Sequence, residues 1–418
     1  MQNTIKQKYL ILLAGIGTGF EYYDFVIYAF FAKFISYNFF PNNNYYLSMM
    51  ATFATFGVAY VVRPIGGILF GIMGDRYGRK KILTTTIFLM ASSTFLMSLT
   101  PSYSSLGIVA PIIFVFLRIV QGISYGAELP GSLTFLVEHI SAKNRGAKCG
   151  LMLSSMGIGV TVASFISYLV THFFTLEQMN LWGWRLPFMF GGLLAVVGYF
   201  LRRYVSETPM FVAIEKYDLK KTVAIVKNNC KNILYSFGCA FFPACLVVFG
   251  LFMPTYLHDY FNYELPPIYL ASTFGHILNV MLLPTLAWFS DYVGRKKQII
   301  MALIIIMLGI WPLFKWVSNE NSLALWGFIL CYHAMLAFLG SCYFTILAEN
   351  FPTSIRYMGI ALSYNLAQIF SAFIPMIFSY ICKNIINPIN VSFIFIALAL
   401  LAVFSVLMIN DKTGKKLV

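Results

Sequence analysis

Apolar residues run along this chain in blocks of about 20, and short clusters of charged and turn-forming residues separate the blocks. The blocks, such as Ile82 to Leu99 and Phe393 to Met408, show little alternation of period two. That length suits a hydrocarbon layer roughly 30 Å thick crossed by helices, and the missing alternation argues against a barrel. In lipid every backbone amide needs an internal partner, so helices are the remaining solution. The pattern predicts spans at 8–32, 46–72, 82–101, 105–136, 148–171, 184–201, 233–257, 267–289, 298–316, 323–347, 357–381 and 390–409. The expected fold class is an all-α membrane protein of about twelve transmembrane helices.

Composition agrees: 59% of the 418 residues are hydrophobic and 11% are charged, well below the roughly 25% charged of soluble domains. The net charge of +14 raises the question of nucleic acid, and the placement of the charges answers it. With those spans, 23 Lys and Arg fall on the side of both termini, and Lys33, Arg185, Lys315 and Lys383 fall on the other. Arg63 and Arg118 lie inside spans. The basic excess is therefore an orientation signal that places both termini in the cytoplasm, with a lipid bilayer and no nucleic acid as the expected surroundings. No small-residue cleavage site closes the first apolar run, so it reads as a retained helix. The seven cysteines show no metal spacing and read as packing residues.

The chain repeats itself. GDRYGRKK at 74–81 follows the second span and SDYVGRKK at 290–297 follows the eighth, with Asp75 and Asp291 216 positions apart. Glu138 precedes Arg145 by seven positions and Glu349 precedes Arg356 by seven, at an offset of 211. Two motifs at nearly one offset predict six-helix halves at 1–201 and 233–418, joined by a polar, Lys-rich linker at 202–232. Transporters built from such repeats place substrate between the halves near the bilayer midplane.

Five segments carry a family resemblance: GFEYYDFVIY at 19–28, RPIGGILFGIMGDRYGRKK at 63–81, RIVQGISYGAELPGSLTFLVEH at 118–139, WGWRLPF at 182–188 and ENFPTSIRYMG at 349–359. Together they resemble the metabolite:proton symporter branch of the major facilitator superfamily. The resemblance implies the major facilitator fold of two pseudo-symmetric six-helix halves, and symport of a proton with proline, betaine, citrate, 2-oxoglutarate, shikimate or a similar acid. Osmosensing members for proline and betaine often end in a long C-terminal coiled coil, which this chain, stopping at Val418, does not show.

Ionisable groups at membrane depth are costly, which makes each a candidate for function. Glu21 and Asp24 are three residues apart on one helix face, with Tyr28 a turn beyond. Proton-coupled sugar porters of the same superfamily pair a first-helix Asp with a fourth-helix Arg, so the resemblance makes Asp24 and Arg118 the coupling pair. Burial favours a protonated carboxyl and a nearby guanidinium favours the ionised one, so moving the Arg switches proton affinity. The alternative is a permanent ion pair that fixes helix packing. Glu21 competes for the carrier role, and Glu128 is either a second relay group or a helix-packing hydrogen bond.

Arg63 lies twelve residues before Asp75, or roughly 18 Å along a helix, and is the expected anchor for a substrate carboxylate. Its alternative role is to bond helix carbonyls beside Pro64. With Arg118 held by Asp24, one Arg would remain for anions, beside Glu21 and the rings of Phe20, Tyr22, Tyr23 and Tyr28. That set favours a zwitterion such as proline or betaine over a di- or tricarboxylate, which should want a second cation. In the second half His276, Asn279, His333, Asn365, Gln368, Tyr332 and Tyr364 are candidates for the wall of the site or for interhelical hydrogen bonds.

Among the loop motifs, Gly74 and Gly78 allow a tight turn around Arg76, Asp75 can cap a helix or pair with Arg145, and Arg79 can pair with Glu138. Asp291, Arg295, Glu349 and Arg356 repeat the pattern. These groups are expected to form gate contacts between the halves, or to enforce topology through their charge. Gly57, Gly66, Gly67, Gly71, Gly122, Gly126, Gly157 and Gly159 predict close helix approach. The sequence contains no P-loop, catalytic triad or metal cluster, so no cofactor, metal or enzyme activity is expected, and the chain reads as a monomer. A solute sensor and a membrane enzyme are the competing classes. The intramembrane charges argue against the first, and the missing nucleophile or metal set against the second.

Overall fold

The computed structural model describes residues 19–20, 22–77, 79–126, 133–134, 136–137, 140, 144–193, 229–352, 355–384 and 387–415. The described residues form helices joined by short turns, with no strand among them. We number the helices α1 (22–30, continued by Ala32–Phe39), α2 (Tyr45–Tyr77), α3 (Arg79–Leu99), α4 (Val109–Tyr125), α5 (Arg145–Phe173) and α6 (185–193). The second set is α7 (Cys230–Phe261), α8 (Leu265–Val293), α9 (Arg295–Val317), α10 (Ser322–Asn350), α11 (Arg356–Ser371 then Ile374–Asn384) and α12 (Val391–Met408). Eight helical segments among the described residues are long and apolar enough to cross a bilayer, and Thr85–Leu99 and Val109–Tyr125 are shorter apolar helices. The start of the first predicted span, the end of the sixth and most of the linker lie outside the described residues.

Several helices run past the apolar limits read from the sequence. α2 has 33 residues, about 50 Å, and it carries Gly74, Asp75 and Arg76 as helix rather than as the expected turn. Likewise Arg145, Arg295 and Arg356 are the first residues of their helices, and Glu349 lies in the last turn of α10. In α11 the helix breaks at Ala372 and Phe373, next to Pro375, whose ring disfavours helical backbone before it. At the end of α3, Arg185 from the WGWRLPF segment bonds the carbonyls of Ser98 at 2.5 Å and Thr100 at 2.7 Å, satisfying acceptors that a helix C-terminus leaves open.

The two sets of six meet chiefly where α5 lies along α8 and where α2 meets α11. Small residues make these approaches possible. Ser154 Oγ donates to Val280 O (2.9 Å) and Ser164 Oγ to Tyr269 O (3.0 Å), while Gly150 faces Leu283 and Ala287. Within the first six, α2 and α4 cross with backbones almost touching. A Cβ added at Gly122 would collide with Ala59, and one at Gly126 with the carbonyl of Arg63. Large side chains such as Leu308, Leu401 and Phe404 point outward, as a lipid-facing surface requires.

Candidate functional site between the two halves

The close α2–α4 crossing brings Arg63 and Arg118 to the same aromatic cluster. The guanidinium carbon of Arg63 lies 3.9 Å from the ring centroid of Tyr60, 4.1 Å from Tyr125 and 4.3 Å from Phe25. That of Arg118 lies 4.2 Å from Phe25, 4.4 Å from Tyr28 and 5.2 Å from Phe56. Both side chains are almost fully buried. Ring faces attract cations by up to about 2 kcal/mol when desolvated, which compensates part of the cost of leaving water. Tyr22 edges against Tyr125, with centroids 5.7 Å apart, and lies near the hydroxyl of Tyr364 on α11. Gln368 donates to that same hydroxyl at 2.7 Å. The cluster therefore spans the boundary between the halves, with both cations on the first half and Tyr364 and Gln368 on the second.

The expected contact between Asp24 and Arg118 is not made in this structure. Asp24 and Arg118 form no ion pair: Arg118 bonds Gln121 and the carbonyl of Phe25 (3.4 Å). Asp24 turns instead toward α3 and α6, where its side chain lies beside Thr94 and its Oδ1 lies against Gly191. The cause is helix rotation. Phe25 presents its ring to Arg118, and the preceding residue, about 100° around the helix, faces the other way. Gln121 ties the two regions together by donating to Asp24 O at 3.1 Å and to Thr94 Oγ1 at 2.9 Å. Oδ1 of Asp24 is buried with no hydrogen-bond partner among the described residues.

Two predicted substrate contacts also have other tasks. Tyr23 points at α6, donating to Pro187 O at 2.8 Å and packing on Phe190. Tyr332 bonds Leu246 O and stacks with Phe328 inside the second half. Tyr28 donates to Thr52 O at 3.0 Å while its ring contacts Arg118. Asn279 donates to His333 O at 3.1 Å, and His276 meets His333 edge to face at 4.4 Å. Asn365 is buried on α11. Glu21, Gly78, Glu128 and Glu138 lie outside the described residues, as do the side chains of Asp75, Arg76 and Arg79.

On the face bearing the repeated motifs, the halves are joined by charge. Arg145 of α5 meets Glu349 of α10 at 2.5 Å, Arg295 lies 3.2 Å from the other oxygen of Glu349, and Arg295 bonds Asp291 at 2.9 Å. The carboxylate of Asp291 also accepts from the backbone N–H groups of Gly146 (2.9 Å) and Ala147 (3.1 Å). An acid of the second half thus caps a helix of the first, where the dipole favours negative charge. Arg356 donates to Ala348 O at 3.0 Å. Of the expected gate contacts, the Arg145–Glu349 bridge across the halves was not the partner foreseen for Arg145.

Residues that the sequence reading passed over include Gln121, Thr94, Phe25, Tyr60 and Tyr125. Gln121 had a signal, since it stands three positions after Arg118 on the same face of an otherwise apolar helix.

The chain belongs to the Major Facilitator Superfamily, whose profile it matches over residues 14–375. It is a multi-pass membrane transporter by family, and not an enzyme. Similar curated proteins include "Putative proline/betaine transporter" of Staphylococcus aureus (strain COL), 30% identical over 428 aligned positions covering 100% of this chain and 91% of that protein. The "Proline/betaine transporter" of Salmonella typhimurium is 30% identical, covering 91% and 78% of the two chains. Among solved structures, the proton:xylose symporter XylE bound to 6-bromo-6-deoxy-D-glucose aligns with a TM-score of 0.76 at 19% identity, covering 97% of this chain and 96% of that one. That likeness establishes the fold.

Proposed function

We propose that this protein is a proton-coupled symporter of a small carboxylate-bearing metabolite, with a zwitterion such as proline or betaine as its substrate. The observation that carries this reading is Arg63 in a cage of Phe25, Tyr60 and Tyr125, with Tyr22 and Tyr364 beside it. A guanidinium binds a carboxylate through two N–H groups, and ring faces receive an ammonium or quaternary nitrogen. The printed names of the relatives support the same substrate class. Alternating access follows from contacts between the halves at each end: the Arg145–Glu349 bridge opens when the site faces the motif side, and contacts at the opposite end open when it faces away. Asp24, buried and without an ionic partner among the described residues, is the proposed proton carrier.

A second reading draws on one observation. Because Asp24 does not hold Arg118, two guanidinium groups stand around Phe25, and a di- or tricarboxylate such as 2-oxoglutarate or citrate could engage both. The basic loops and the bacterial relatives support a bacterial inner membrane with cytoplasmic termini.

Uptake of labelled proline, betaine, 2-oxoglutarate and citrate into vesicles containing the purified protein, under an imposed pH gradient, separates these readings. Transport of proline or betaine supports the first and transport of the polycarboxylates the second. Saturable binding of any of them without uptake would leave a sensor and defeat both.

A further inference from the structure

At the end of the molecule opposite the motifs, four side chains join α1 and α2 to α7. Lys33 Nζ lies 2.6 Å from His258 Nε2, and Tyr45 donates its hydroxyl to Asp259 at 3.0 Å. Each contact crosses from the first half to the second. On the other edge of the imidazole, His258 Nδ1 lies 2.9 Å from the carbonyl of Tyr263.

The hydrogen count of this cluster follows from its chemistry. A carbonyl only accepts, so Nδ1 carries a hydrogen. Between Nε2 and Nζ there is room for one bridging hydrogen, donated by the lysine or by the ring. In either arrangement the pair holds a single positive charge. A second proton would make both groups cations, with N–H facing N–H and no acceptor between them. The contact would then be lost and two like charges would stand side by side. Asp259 supplies one negative charge nearby, enough to balance one cation and not two. The other groups around the pair are Tyr45 and Tyr46 from the start of α2, Tyr260 on α7, and Tyr263 with Glu320 beyond it.

We infer that Lys33 and His258 form a proton-released latch that holds the two halves together at the face opposite the motifs, and that binding one further proton opens that face. The contact is present while the pair carries one charge and is lost as the pH falls and the second proton binds. Histidine is the side chain suited to this, since its second ring nitrogen can either accept a hydrogen bond or carry a proton. The inference rests on the transport reading above for its use: with this face turned outward, an acidic exterior opens the site toward the side from which protons enter. His258 is a positioning residue in this scheme and touches no substrate.

The test is a distance between spin labels in the purified full-length protein. Asn43→Cys and Asn319→Cys place labels on exposed residues at this face, one in each half. Cys230 and Cys331 are replaced by serine, and the other five cysteines are buried. Between pH 8 and pH 5 the dominant distance is expected to lengthen. With His258→Gln, whose amide oxygen accepts from Lys33 without titrating, the short distance is expected at both pH values. If His258→Gln fails to fold, Lys33→Gln is read the same way, since it removes the second cation. An unchanged distance in the parent protein, or a lengthening that persists in these variants, overturns the inference. Because no substrate is present, the outcome does not depend on whether proline is carried.

Discussion

Arg63 and Arg118 lie over a single ring, that of Phe25, with their guanidinium carbons 4.3 and 4.2 Å from its centroid and therefore within about 8.5 Å of each other. They come from different helices, and their meeting depends on Gly122 and Gly126, which let α2 and α4 touch backbone to backbone. The charge pattern of the site is thus a consequence of small residues one and two turns along α4 from Arg118.

If Arg63 anchors the substrate carboxylate, Arg63→Lys keeps the charge and loses the two-pronged geometry. KM for uptake should rise about tenfold, matching roughly 1.4 kcal/mol, with the maximal rate changing less. Initial-rate measurements over a range of proline concentrations check this. An unchanged KM would remove Arg63 from the binding site.

Arg118→Lys separates the two substrate readings. For a zwitterion held by Arg63 alone, KM should move by less than it does in Arg63→Lys. For a polycarboxylate spanning both cations, the two substitutions should raise KM comparably, and parallel kinetics on citrate and proline would show which holds.

Gly126→Val drives a side chain into the carbonyl of Arg63. Overpacking costs about 1–3 kcal/mol where neighbours can shift, and here the obstacle is backbone, so the cost should be at the upper end. The variant should be recovered in lower yield and melt at a lower temperature than the parent. Normal yield and melting would show that α2 and α4 do not pack this closely.

Glu349 holds Arg145 and Arg295 together, and all three are buried. Removing one partner of a buried pair costs about 3–5 kcal/mol, and here that loss falls on the state in which the motif face is closed. Glu349→Gln should therefore increase labelling of a cysteine placed near the start of α5 by a water-soluble maleimide. Equal labelling in parent and variant would mean that the bridge does not gate this face.

The helices were legible in the sequence because lipid leaves no alternative for a long apolar block. The motif charges were legible as a repeat, and Arg295 with Glu349 and Asp291 does form a cluster. What the sequence did not carry was rotation. α1 is apolar nearly all round, so its pattern does not say whether Asp24 or Phe25 faces Arg118, and in the structure it is Phe25. Contacts such as Lys33 with His258, 225 positions apart, join residues whose neighbours in sequence give no sign of each other. Tyr23 and Tyr332 show the same limit: an aromatic residue in an aromatic chain has many partners, and only packing tells which it takes.

The central claim is that proton entry drives uptake through Asp24. It is tested most directly by accumulation of labelled proline in vesicles containing the purified protein, with the outside more acidic than the inside. The account predicts accumulation above the external concentration, its loss when a protonophore collapses the gradient, and exchange without accumulation in Asp24→Asn. Accumulation that survives the protonophore, or that Asp24→Asn retains in full, would contradict it.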